Sequence, residues 1–285
     1  MEEGFVQFRN KRLWYCVFGK EKTKMPLLVV HGGPGFCSMT DVVSDFSSDR
    51  PVYFYDQLGS YRSDKADSKD EYSLNYFIDE LEAVITSLKL TNCILMGFSW
   101  GCALIAATML EKHPRGVKAL ILSGPLLSSP RWDADQRENI ALLPLESRLA
   151  IEHGEKTGVY DDAYNAAMME YYKRHLCLMD PWPASLTEGF GRLNNDVYNM
   201  MWGPSEFTIT GKLKAFDLFP RLPQIIVPVL LTCGDHDEAG VKTVKDFQMR
   251  LGKGQLAVIP HAAHLHHIEQ PEIYKAVVNA FLKNK

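Results

Sequence analysis

Along the chain, short apolar runs alternate with segments whose apolar residues recur at helical spacing. The runs are rich in β-branched and aromatic residues: Leu13 to Phe18, Leu27 to His31, Val52 to Tyr55, Cys93 to Met96, Val117 to Leu122, Ile225 to Thr232 and Gln255 to Ile259. Several are apolar throughout, as parallel strands buried on both faces are. Between them, Leu74, Phe77, Ile78, Leu81, Ile85 and Leu88 line one face of a helix that Ser73 is placed to cap. Cys102 to Lys112 and Ile273 to Leu282 read as further helices, the second opened by Pro271. Strand and helix in alternation predict a doubly wound, mostly parallel α/β sheet.

The alternation stops after Ser123-Gly124-Pro125 and resumes at Ile225. The interval is helical in pattern and rich in aromatic residues, with helices expected over Asn139 to Glu152, Asp162 to Leu178 and Leu186 to Met201 and breaks at Pro144, Pro181, Pro183 and Pro204. It reads as an inserted helical cap, residues 126–218, lying over the carboxyl edge of a core built from residues 1–125 and 219–285.

Composition narrows the function classes. With 46% hydrophobic and 23% charged residues over 285 positions, the chain can bury a sizeable core and is not of the disordered type. Lysine plus arginine less aspartate plus glutamate is 31 − 35 = −4, with no basic run, which argues against a nucleic-acid partner. The opening Met1-Glu2-Glu3-Gly4-Phe5 lacks the basic and apolar regions of a secretion signal, and no uninterrupted apolar stretch reaches the roughly 18 residues of a membrane span. A cytoplasmic protein without a membrane partner is expected. The six cysteines lack C-x-x-C spacing and mostly sit in apolar segments, as unpaired thiols in a reducing compartment do.

The chemistry concentrates at the ends of the apolar runs. Gly97-Phe98-Ser99-Trp100-Gly101 follows a buried strand and precedes a helix, the setting of a nucleophile elbow in which flanking glycines let a strained turn lift a serine hydroxyl out of the sheet. A serine needs a base to take its proton and an acid to orient that base. Both are expected downstream in the order Ser, Asp, His of an α/β-hydrolase fold. Gly234-Asp235-His236-Asp237-Glu238 follows a late strand, and Asp237 is the chosen acid because Asp235 lies where a turn-forming aspartate is expected. Among His261, His264, His266 and His267, His264 lies mid-loop with small residues before it and is the chosen base. The cluster lacks the H-E-x-x-H arrangement of a zinc site, so neither a metal nor another cofactor is called for. His31-Gly32-Gly33-Pro34-Gly35 can bring the Gly33 N–H to a developing oxyanion, with the Trp100 N–H as its partner.

These motifs, with Tyr55-Asp56-Gln57-Leu58-Gly59 and the run Val197 to Phe207, resemble those of the proline iminopeptidase family of α/β-hydrolases, in that family's order and over nearly the whole chain. The resemblance implies a serine aminopeptidase that releases an N-terminal residue, often proline, from a small peptide or an aminoacyl amide or ester with a free amine. It also implies that Glu206 and Glu238 hold the substrate's α-ammonium. Trp202 and Phe207 flank Glu206 and are expected to wall the substrate pocket. The chain departs from the family pattern at Tyr61, expected to narrow the cleft, and at Ala239-Gly240-Val241 after the acid. The alternatives are an amide, ester or lactone hydrolase of the same fold without a proline preference, and a non-catalytic small-ligand receptor.

Overall fold

The computed structural model describes residues 1–283 and 285. Eight strands form one sheet: β1 (Glu2–Phe8), β2 (Lys11–Phe18), β3 (Leu27–Val30), β4 (Val52–Tyr55), β5 (Cys93–Phe98), β6 (Val117–Ser123), β7 (Val229–Gly234) and β8 (Gly254–Ile259). Their spatial order is β1-β2-β4-β3-β5-β6-β7-β8, with β1 and β2 antiparallel to their neighbours and every later pairing parallel. Strands β3, β5 and β7 are buried at all or nearly all positions, which is why their sequences do not alternate. Strand β1 escaped the sequence pattern because only Val6 of its seven residues is buried.

The core helices are α1 (Asp41–Ser44), α2 (Leu74–Ser87) and α3 (Trp100–Lys112). Ser73 caps α2 by accepting the Tyr76 N–H at 3.3 Å, as its sequence position predicts. Between β6 and β7 stand α4 (Ser129–Ala141), α5 (Leu145–Thr157), α6 (Asp162–His175), α7 (Ala184–Gly191) and α8 (Asn195–Met201). The expected helix Asn139 to Glu152 is thus broken, because Pro144 ends one helix and starts another. The expected helix Leu186 to Met201 is likewise two, since the Asn194 side chain accepts the N–H groups of Asp196 and Val197 and so opens α8. After β7 come α9 (Val241–Arg250), α10 (His266–Glu269) and α11 (Pro271–Leu282). The run from Ile225 enters the sheet only at Val229, because a 3₁₀ turn over Phe219–Gln224 and Pro228 precede it. No helix among the described residues is long and apolar enough to cross a membrane. The six cysteines are buried and unpaired.

Two devices fix the carboxyl edge of the sheet. The first is the turn from β5 to α3, where Ser99 takes φ +52° and ψ −119°, a region that only a tightly held non-glycine residue occupies. The Ser99 N–H donates to the Ser123 carbonyl at 2.9 Å, and α3 lies so close on β3 that a Cβ at Gly101 would stand 2.1 Å from the Val30 carbonyl oxygen. The second is a buried network around Gln57. The Gln57 backbone N–H donates to His31 Nε2 at 3.0 Å, its side-chain amide donates to the His31 carbonyl at 3.0 Å, and its Oε1 accepts the Trp100 indole N–H at 2.9 Å. His31 Nε2 is therefore an acceptor, and Nδ1 donates to the Gly32 carbonyl at 2.7 Å. Burial lowers the His31 pKa and keeps the ring neutral, as that tautomer requires.

Gly101→Ala should cost on the order of 3 kcal/mol, because the added methyl meets backbone and not a yielding side chain. Gly191→Ala is the control: nothing lies within 4 Å of a Cβ there, and alanine in α7 should be neutral or mildly stabilising. Thermal unfolding of the two variants should differ by several degrees, and equal midpoints would contradict this packing. Gln57→Leu should lose about 2 kcal/mol, because it leaves the Trp100 indole N–H and the His31 carbonyl buried without partners. Urea midpoints measure it.

Candidate active site

One cavity of about 400 Å³ opens at the carboxyl edge of the sheet, and Ser99, His264, Gly33 and Glu206 all line it. Ser99 comes from the end of β5, Gly33 from the loop after β3, His264 from the loop after β8 and Glu206 from the segment after α8. Gly33 has φ +113°, where a Cβ would lie 2.7 Å from the Phe36 nitrogen, so glycine is required for this turn. Trp100 opens α3, where the first N–H groups of a helix have no partner within it.

His264 Nδ1 lies 2.7 Å from Asp237 Oδ1, the pairing that orients a base. Asp237 is itself over-determined. Its Oδ1 accepts the Ala239 N–H at 2.8 Å, its Oδ2 accepts the Gly234 N–H at 3.1 Å, and His266 Nδ1 stands 3.5 Å from Oδ2. Burial would raise this carboxyl's pKa, but the His264 and His266 imidazoles outweigh it and hold the group well below the usual carboxylate range. Asp235 does a different job, accepting the Ala262 N–H at 3.1 Å and so bracing the histidine loop. The cap helix α6 holds the same loop from above: the His175 and Leu176 carbonyls accept the His264 and Leu265 N–H groups, both at 3.0 Å.

The other histidines separate by environment. His261 is exposed, His266 is fully buried against Thr232 at 2.8 Å, and His267 packs on Phe98 with ring centroids 4.4 Å apart. Burial drives the His267 pKa well down.

Glu206 and Glu238 converge from cap and core. Glu238 is fully buried behind the cavity lining, of which Glu206 and His264 are members and it is not; its Oε1 is 3.6 Å from His264 Nε2, and neither carboxylate oxygen has a hydrogen-bond partner. Glu206 faces the cavity and accepts the Tyr198 hydroxyl at 2.6 Å. Burial, and then the proximity of Glu206, push the Glu238 pKa far above the ordinary value, and burial raises Glu206 against the pull of Tyr198. Among the described residues no lysine or arginine pairs with either. The backbones of both are clamped: the Trp132 and Trp202 indoles donate to the Glu206 carbonyl at 3.0 and 3.3 Å, and the Gln136 amide donates to the Glu238 carbonyl at 2.8 Å.

Three sequence expectations are corrected here. Trp202 and Phe207 do not wall the cavity: Trp202 is turned inward to hold Glu206 and meets Trp132 edge-on, while Phe207 packs among Tyr164 and Tyr171 in the cap core. Tyr61 does not narrow the cleft, because it is half exposed beneath the Arg192 guanidinium in a separate surface recess. The apolar wall comes instead from Phe36, Met168, Met169, Tyr172, Trp182 and Phe190. Sequence reasoning also missed Tyr198 and Gln136, whose partners are fixed only by how the cap folds.

The family model of the alpha/beta hydrolase fold matches residues 25–271. A protein named proline iminopeptidase from Heyndrickxia coagulans is 38% identical over 285 residues, covering 99% of both chains. Among solved structures, VinJ superposes with a TM-score of 0.92 at 31% identity, and the proline iminopeptidase of Mycobacterium smegmatis with 0.89 at 32%, each covering 99% of this chain and 98% of its own. With full-length identity above 30% to proteins of that name, on the fold expected from the sequence, the chain belongs to the proline iminopeptidase family of α/β-hydrolases.

Proposed function

We propose that this protein is a serine aminopeptidase that releases an N-terminal proline or another small apolar residue from short peptides or aminoacyl amides. The observation that carries the reading is the pair Glu206 and Glu238, two carboxylates beside the base that no lysine or arginine compensates among the described residues. An uncompensated buried carboxylate is costly, and a cation that arrives with the ligand relieves it. An ammonium about 4 Å from a carboxylate gains on the order of 4 kcal/mol at an effective dielectric near 20. Holding the amine there sets the distance to the first carbonyl, so that it is presented to Ser99.

In this mechanism Ser99 Oγ attacks the carbonyl carbon while His264 Nε2 takes its proton and Asp237 steadies the imidazole. The backbone N–H groups of Gly33 and Trp100 receive the oxyanion. The tetrahedral intermediate collapses with the C–N bond breaking and His264 returning the proton to the leaving amine. Water then enters by the reverse path and hydrolyses the acyl-enzyme.

Ser99→Ala and His264→Ala should each lower turnover by several orders of magnitude, roughly 10⁴ or more, whereas His261→Ala should retain activity. Sensitivity at His261 with an indifferent His264 would overturn the assignment of the base. Free-amine prolyl amides should be cleaved, and their N-acetyl counterparts should fall in kcat/KM by up to about 10⁴, because acetylation removes the charge and leaves the carboxylates unpaired. Equal kcat/KM for the two would favour an esterase or lactonase acting without an amine requirement.

A further inference from the structure

The nitrogen that must accept the serine proton faces a carboxylate. Asp237 holds His264 Nδ1 at 2.7 Å, so Nε2 is the ring atom left for Ser99. Yet no hydrogen bond joins Nε2 to Ser99 Oγ among the described residues, and Nε2 stands 3.6 Å from Glu238 Oε1. Neither Glu238 oxygen has a hydrogen-bond partner, and its backbone carbonyl accepts the Gln136 amide.

We propose that, while the amine site is empty, His264 carries a proton on Nε2 as the counter-charge to the carboxylates around it, Glu238 facing that nitrogen at 3.6 Å, and that the substrate's own ammonium switches the base on by displacing that proton. The inference rests on the aminopeptidase reading of the same site and adds to it how the reaction is confined to amines.

The charges around the ring require such a proton. Asp237 and Glu238 face it from the loop after β7, and Glu206 from the cap, with Tyr198 donating to Glu206. From its own loop come His266, 3.5 Å from Asp237, and His267, which burial keeps neutral. The remaining close ring is Trp132, edge-on at 5.7 Å and uncharged. Carboxylates sharing a buried space do not all ionise without a counter-charge. Burial works against a cation at His264, but Asp237 and Glu238, with Glu206 beyond, outweigh it and push its pKa up to about 10. With that proton on Nε2, the nitrogen cannot take another from Ser99.

An ammonium bound at Glu206, which lines the cavity in front of the buried Glu238, supplies the missing positive charge. The Nε2 proton then leaves to solvent, and its lone pair becomes free. Ser99 Oγ gives its proton to Nε2 as the Oγ–C bond forms, and Nε2 passes that proton to the leaving nitrogen as the C–N bond breaks. A neutral ester or lactone brings no ammonium and meets a base that is already occupied. Glu238 thereby acts as a positioning residue for the proton as well as an anchor for the amine.

The test follows Ser99 labelling by a neutral dialkyl fluorophosphate across pH, for wild type with and without pyrrolidine and for Glu238→Gln. In wild type the labelling rate should rise with pH through an inflection above 8, and saturating pyrrolidine, protonated at pH 7, should speed labelling there about tenfold or more, the equivalent of one pH unit. Glu238→Gln should move the inflection down by at least one unit and abolish the response to pyrrolidine. Pyrrolidine that only slows labelling of wild type overturns the proposal, as does a folded Glu238→Gln enzyme with an unchanged inflection. Should that variant fail to fold, the pyrrolidine response of wild type decides. Prolyl-amide cleavage by wild type, measured alongside, separates the two readings. Cleavage with no acceleration by pyrrolidine sinks the switch alone, and acceleration with no cleavage sinks the proposed substrate alone.

Discussion

Three carboxylates, Asp237, Glu206 and Glu238, converge on one imidazole in a space that holds no pairing lysine or arginine among the described residues. That imbalance of charge is the constraint on which the site depends. Asp237 is stable as an anion because two backbone N–H groups and two imidazoles surround it. Glu238 has no hydrogen bond to its side chain and only the His264 Nε2 facing it at 3.6 Å, and Glu206 has one donor, the Tyr198 hydroxyl. Carboxylates around one ring are therefore divided by their surroundings, one held well below the usual carboxylate range and two raised above it.

Such an arrangement persists only if the surrounding backbone cannot relax. The cap and the core share that task. Helix α4 supplies Trp132 to hold Glu206 and Gln136 to hold Glu238, while the carboxyl end of α6 receives the N–H groups of His264 and Leu265. The His175 ring then ties α6 to the acid loop through the His236 carbonyl at 3.1 Å. Below them, the strained Ser99 turn is pinned by the close packing of α3 on β3 and by the Gln57 network. Buried polar networks of this kind are rigid when satisfied and costly when broken, which suits groups that must be held within a fraction of an ångström.

The strands and the loops that bring Gly33, Ser99 and His264 to the cavity were legible in the sequence because both are local statements. A run such as Leu27 to Val30 is apolar through and through since both its faces are covered, and the glycine-flanked serine stands in the turn between β5 and α3 where its motif predicts it. Cap helix boundaries were less legible, because Asn194 and Pro144 act as start signals inside stretches whose apolar spacing runs on regardless. The cavity wall was not legible at all. Trp202 and Phe207 stand next to Glu206 in sequence but turn into the cap core, whereas Phe36 and Phe190, 154 positions apart in the chain, meet edge to face at 5.7 Å beside the cavity. Proximity along the chain says little about which side of a loop a ring will occupy.

The two ends of the cavity impose very different penalties on a ligand. At the apolar wall, one methylene more or less changes binding by about 1 to 3 kcal/mol, and Met168 and Met169 can repack around side chains of different shape. At the other end, the Glu238 oxygens are buried and unpaired, and leaving such acceptors unpaired is a mismatch that a hydrogen-bonding site rejects by orders of magnitude. A volume of about 400 Å³ suits a drug-sized ligand more than a single residue. A mismatch of charge at one end therefore costs far more than a mismatch of shape at the other.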